Sequence, residues 1–78
     1  MSRIIVKNIP AYLSDARLKD HFSSQGGVVT DTKIIRRHDG TSRQFGFVGF
    51  KTETEAQEAL RYFNRTYIDT LRIDVGIA

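Results

Sequence analysis

The sequence predicts an α+β domain in which one four-stranded antiparallel sheet carries two helices on a single face. Three observations lead there. Period-two and helix-period hydrophobic segments follow one another in the order β-α-β-β-α-β. The 78 residues make one domain that buries roughly 60–65% of the surface of its unfolded chain, too little apolar material to cover a sheet on both sides. Finally, the stretch RQFGFVGF, residues 43–50, places Phe45 and Phe47 on one face of a strand and Val48 and Phe50 on the other.

Residues 3–8, RIIVKN, are rich in β-branched side chains and run into Pro10, which predicts a strand entering a turn. Ser14 then caps a helix, with Asp15 in the first turn, Leu13 placed to staple onto Leu18, and Leu18 and Phe22 as the buried stripe. Gly26 and Gly27 stop it. From Val28 to Arg37 a second strand sets Thr32 and Ile34 against Lys33 and Ile35. HDGTS supplies a hairpin loop of about five residues around Asp39-Gly40 before the phenylalanine strand. Thr52 opens a second helix, and Glu55 completes its capping box. Ala56, Ala59, Leu60 and Phe63 follow at helical spacing, and Asn64 ends the helix. The last strand is LRIDVGI, residues 71–77, with Ile73 and Val75 on one side and Asp74 and Gly76 on the other.

This order is the split βαβ, or ferredoxin-like, arrangement, in which right-handed crossovers put both helices on the same face. Phe50 then fills the core with Val48, Ile4, Val6 and Ile34, while Phe45 and Phe47 face water. The uncovered face also carries Arg3, Ile5 and Lys7 from the first strand, Lys33, Ile35 and Arg37 from the second, Arg43 from the third and Asp74 from the last. Flat π-faces beside cations suit stacked bases and phosphates of single-stranded nucleic acid. An oligomer interface or a terminal segment folded over the sheet would use the same aromatics. The formal charge of +3 is a mild excess that agrees with an anionic partner. With no cysteine, disulfides and thiolate metal sites are excluded. No apolar run resembles a signal peptide or a membrane span, so a soluble, intracellular chain is expected.

These residues resemble the RNA recognition motif. The family's octamer, Lys/Arg-Gly-aromatic-Gly/Ala-aromatic-aliphatic-x-aromatic, is matched by Arg43, Phe45, Gly46, Phe47, Val48 and Phe50, and its hexamer on the first strand resembles IIVKNI, residues 4–9. The resemblance covers nearly the whole chain and implies a single-stranded RNA-binding module, with Phe45, Phe47, Arg43, Lys7, Ile5, Arg3, Lys33, Arg37 and Asp74 as its contact residues. Two positions depart from the pattern. Gln44 replaces the octamer's glycine, a change that a core-side or edge position would tolerate. Ile5 stands where the hexamer's stacking aromatic belongs, and an isoleucine offers no π-face. Two full stacks supply roughly 2–6 kcal/mol, whereas micromolar affinity requires about 8, so weak binding in isolation is expected.

More narrowly, MSRIIVKNIP, SRQFGFVGF and YFNRTYID are similar to the first such motif in the multiple RNA-binding-domain proteins of small-subunit ribosome biogenesis. That resemblance implies pre-ribosomal or small nucleolar RNA as partner and a nucleolar or nuclear location. Met1 at the edge of the first strand and Ala78 at the end of the last suggest the N-terminal module, residues 1–78, of a longer protein, monomeric when isolated. A protein-binding variant of the motif, using the sheet or the helical face, is the competing reading.

Other signals carry less. Asn64-Arg65-Thr66 matches a glycosylation acceptor without a secretory signal. His21 and His38 lie on different elements, so no metal or other cofactor is expected. Gly46-Phe47-Val48-Gly49 spells the G-x-x-G of another RNA-binding fold, but inside a strand. Acylphosphatases share this fold, yet IPAYLSD after the first strand has no glycine and places Pro10, which lacks an N–H, where a phosphate cradle would have to form. No nucleophile and base are paired, and no enzymatic activity is expected.

Overall fold

The computed structural model describes residues 2–24 and 26–78; Met1, whose place at the edge of the first strand was noted above, lies outside them. The chain runs β1 (Arg3–Lys7), α1 (Asp15–Ser23), β2 (Val29–Arg36), β3 (Ser42–Phe50), α2 (Glu53–Phe63), β4 (Tyr67–Ile68), β5 (Leu71–Arg72) and β6 (Asp74–Ile77). β2, β3, β1 and β6 lie side by side in that order as an antiparallel sheet, with β3 and β1 at its centre. The ferredoxin-like order expected from the hydrophobic pattern is present, with a small β4–β5 hairpin added.

The helices begin where their capping residues say they should. Ser14 accepts from the Arg17 N–H at 3.2 Å, and Thr52 and Glu55 form a reciprocal capping box, so otherwise unpaired N–H groups of each first turn find acceptors. Gly26, at φ +101°, turns the chain after α1, its N–H donating to the Ser23 carbonyl at 3.0 Å. Between helices and sheet lie Ile4, Val6, Ile34, Val48 and Phe50, with Leu18, Phe22, Ala56, Ala59 and Phe63, all buried. The Phe22 and Phe63 rings meet at 4.5 Å between centroids and join α1 to α2. Ala56 and Ala59 present no bulk, which lets α2 lie close on the strands. Asp15 ties α1 to the sheet: its carboxylate accepts from the Ile34 N–H at 3.0 Å and its carbonyl from the Thr32 hydroxyl at 3.1 Å.

Three local expectations need correction. Expected as one strand, residues 71–77 divide at Ile73, whose N–H donates to Thr66 at 2.8 Å while its carbonyl accepts from Arg65 at 3.0 Å. Leu71 and Arg72 pair instead with Tyr67 and Ile68 around Asp69, which sits at φ +56°. The second strand ends at Arg36. Arg37 belongs to the loop of residues 37–41, its N–H donating to Thr41 at 2.8 Å and its carbonyl accepting from Gly40 at 2.9 Å. The third correction concerns Gln44. It lies at φ +62°, where a glycine would sit without strain, so the difficulty at this position is one of backbone conformation rather than of burial. Ser42 Oγ accepts the Gln44 N–H at 2.9 Å, and the register between β2 and β3 shifts over this stretch.

Candidate nucleic-acid interface

On the face without helices, the pairing register sets side chains in rows. Phe47 on β3 has Lys33 of β2 on one side and Ile5 of β1 on the other, and beyond Ile5 lies Gly76 of β6. In the next row Phe45 is followed by Lys7 and then Asp74. Phe45 and Phe47 are half-buried rather than fully open, because their rings pack edge to face at 6.3 Å and their neighbours shield part of each. Gly46 lies between them, turned to the other side. A Cβ there would come within 2.7 Å of the Lys33 carbonyl oxygen, so glycine lets β2 lie close against β3.

The expected cations divide into four groups. Lys7 and Lys33 are exposed beside the phenylalanines. Arg43 is exposed with its guanidinium 5.9 Å from the Phe45 centroid, within cation–π range. Arg37 sits apart, in the hairpin loop. That loop is organised by Asp39, whose carboxylate accepts from the Thr41 hydroxyl at 2.7 Å and its N–H at 3.0 Å. Those bonds hold Asp39 below the usual carboxylate range, the hydroxyl contributing most.

Arg3 is already engaged. It forms an ion pair with Asp31 across β3, at the row where Gly49 stands between them. A methyl at Gly49 would fall on the Asp31 carboxylate, so the missing side chain makes the bridge possible. Both partners are about half exposed, at 48% each, so the pair adds little to stability. Its importance is that a carboxylate occupies one end of the face and holds an arginine that RNA phosphates would otherwise attract. Asp31 was not among the expected contact residues, although strand alternation places it with Lys33 and Ile35. Ile35 itself is half-buried in the register shift between Ile34 and Arg36.

A shallow hollow of about 430 Å³ opens between the end of β1 and the start of β3, lined by Ile5, Lys7, Asn8, Arg43, Gln44 and Phe45. Asn8 and Gln44 also escaped the sequence analysis as lining residues, because both depend on left-handed backbone (φ +63° and +62°) that periodicity does not reveal. Among the described residues no group of three or more His, Asp or Glu side chains converges on a metal position, and no helix is long and apolar enough to cross a membrane.

The comparisons agree with this geometry. The RNA recognition motif family matches residues 4–74. Over 78 residues the chain is 64% identical to a protein of Mycosarcoma maydis named multiple RNA-binding domain-containing protein 1, covering all of this chain and 9% of that one. The protein of the same name in Saccharomyces cerevisiae is 41% identical over 92 residues, with 100% of this chain and 10% of that protein covered. The chain therefore spans about a tenth of these relatives. Among solved structures, it is similar to the Sex-lethal RNA recognition domains 1 and 2 from Drosophila melanogaster, with a TM-score of 0.92 and 26% identity over 100% of this chain and 50% of that one. A chain titled Sxl-lethal protein/RNA complex superimposes with a TM-score of 0.91 and 27% identity, covering 99% of this chain and 46% of that one. With two helices on one face of a β2-β3-β1-β6 sheet and its motif residues on the two central strands, the chain belongs to the RNA recognition motif family.

Proposed function

We propose that this chain binds single-stranded RNA across the open face of β1 and β3. The observation that carries the reading is Phe47, half-exposed between Ile5 and Lys33 on a face no helix covers. In this scheme Phe45 and Phe47 stack on bases, Ile5 packs against a base or ribose, and Lys7, Lys33 and Arg43 meet phosphates. Arg37 reaches a strand that extends past the hairpin loop. Arg3 and Asp74 stand at the margins, Arg3 through its bond to Asp31.

The relatives' names and the small share of each that this chain spans support a further step. This domain is one module of a longer, several-module protein, and the resemblance of MSRIIVKNIP, SRQFGFVGF and YFNRTYID to proteins of small-subunit ribosome biogenesis supports pre-ribosomal or small nucleolar RNA in the nucleolus as its target. Weak modules in tandem gain affinity through effective concentration, which offsets the missing aromatic at Ile5. A second reading, docking of a protein on the helical side, is favoured by Tyr62 and Tyr67, 60% and 61% exposed beside α2.

The experiment is an NMR titration with short single-stranded RNA, following backbone amides. Movement of β1 and β3 amides, at Ile5, Lys7, Phe45 and Phe47, is expected. Movement confined to α1 and α2, or none at all, would contradict RNA binding on the sheet.

A further inference from the structure

The hairpin loop between β2 and β3 holds the one Asp-Gly pair in the chain, Asp39-Gly40, and both residues are exposed. An aspartate followed by glycine is open to attack by its own backbone, because glycine has no Cβ to keep its nitrogen away from the preceding side chain. In that reaction the Gly40 nitrogen attacks Cγ of the neutral Asp39 carboxyl group. A C–N bond forms, the Cγ–OH bond breaks, and the hydroxyl leaves as water with the amide hydrogen. One water then opens the cyclic imide. Opening at the former main-chain carbonyl gives isoaspartate, in which the backbone runs through Cβ and Cγ and is longer by one methylene, with no change in mass.

Contacts within the loop oppose this step. Asp39 Oδ1 accepts from the Thr41 hydroxyl at 2.7 Å and from the Thr41 N–H at 3.0 Å, which holds the carboxylate on Thr41, one residue beyond the nitrogen that would attack. The Gly40 N–H donates to the Arg37 carbonyl at 2.9 Å, closing a turn and engaging the hydrogen that has to leave. The Thr41 bonds also favour the ionised carboxylate, which has no hydroxyl to expel. We propose that Asp39-Gly40 is an isoaspartate-forming site that the Thr41 hydroxyl keeps latent. The reaction then proceeds only from molecules whose loop has opened locally, and its rate follows how often the Thr41 bonds release. Once isomerised, the longer backbone no longer fits the turn from Arg37 to Gly40, and the loop that carries Arg37 into β3 loses its order.

The test incubates the folded chain at neutral pH beside a free peptide of residues 36–44. Isoaspartate is followed in the fragment of residues 38–43, HDGTSR, which trypsin releases from both; the isomer has the same mass but resists the protease that cleaves before aspartate. The folded chain should accumulate it about tenfold more slowly than the peptide, the scale of one hydrogen bond to a charged group. Thr41→Val keeps the shape and the backbone N–H but removes the hydroxyl, and should isomerise roughly three- to tenfold faster than the parent. Thr41→Ser keeps the hydroxyl and should stay close to the parent's rate, with melting curves showing that both variants are folded. Equal rates in the folded parent and the peptide would overturn the protection. Thr41→Val as slow as the parent, or Thr41→Ser as fast as Thr41→Val, would overturn the role of the hydroxyl. A peptide that forms no isoaspartate would overturn the site itself.

Discussion

Val48 and Phe50 lie sealed beneath the helices, whereas Phe45 and Phe47, on the opposite face of the same strand, keep part of each ring in solvent. The two faces obey different rules. Beneath α1 and α2 the central strands contribute Ile4, Val6, Val48 and Phe50, packed with Leu18, Phe22 and Phe63. The open face mixes aromatic rings with Lys7, Lys33 and Arg43 and with the Arg3–Asp31 pair. Partly exposed phenylalanines beside exposed lysines do little for folding, since the solvent-facing part of a ring gains no transfer energy. The contrast teaches that one strand can serve stability and recognition at once, because alternation keeps the two sets of side chains apart.

The largest effect separating the faces is expected at Phe50. Phe50→Ala removes a ring that is 2% exposed and should cost about 3–5 kcal/mol, a large share of the roughly 5–15 kcal/mol a domain possesses. Chemical denaturation measures it, and a loss below 1 kcal/mol, roughly the scale of a surface substitution, would mean that the helix-covered face is loosely packed. A smaller effect lies on the open face. Asp31→Asn should release Arg3 to meet a phosphate and so steepen the salt dependence of RNA binding by about 0.7 log unit per log unit. An identical slope in parent and variant would show that Arg3 lies outside the RNA path.

The smallest effect returns to the helical side. The His21 ring packs 5.1 Å from Phe63 and 5.4 Å from Phe22, and its Nε2 is buried without a partner among the described residues. Burial holds its pKa below the ordinary histidine value. The unfolded chain therefore takes up the proton first as pH falls below about 6.5. The stability contributed by neutral His21 is complete above that pH and is lost as pH drops through the lower native pKa. Melting temperatures across this range should decline less in His21→Leu than in the parent, and parallel curves would rule the contribution out.

How much of this was legible in the sequence varied with the range of the interactions. Helix starts were legible because Ser14, Thr52 and Glu55 act within one turn, and the core because alternation and helical spacing mark it. The Arg3–Asp31 bridge was not, since it joins residues 28 apart, depends on the register of three strands, and needs a glycine between them. The β4–β5 hairpin has strands of two residues each, too short to show a period. Gln44 misled for another reason. Glycine in a motif can mark lack of space or left-handed backbone, and here only the structure distinguishes them, with Gly46 an instance of the first and Gln44 standing at the second. The contact residues named from alternation do lie on one face, apart from Arg37, which the hairpin carries out of the sheet.

The central claim is that the open face binds RNA while the covered face holds the fold, and Phe47→Ala tests it most directly. Thermal unfolding and titration with single-stranded RNA are measured on this variant and its parent. RNA affinity should weaken by about 1–3 kcal/mol, the contribution of one stacked base, with a melting temperature lowered far less than in Phe50→Ala. A melting temperature lowered as far as in Phe50→Ala, together with unchanged RNA affinity, would contradict the claim.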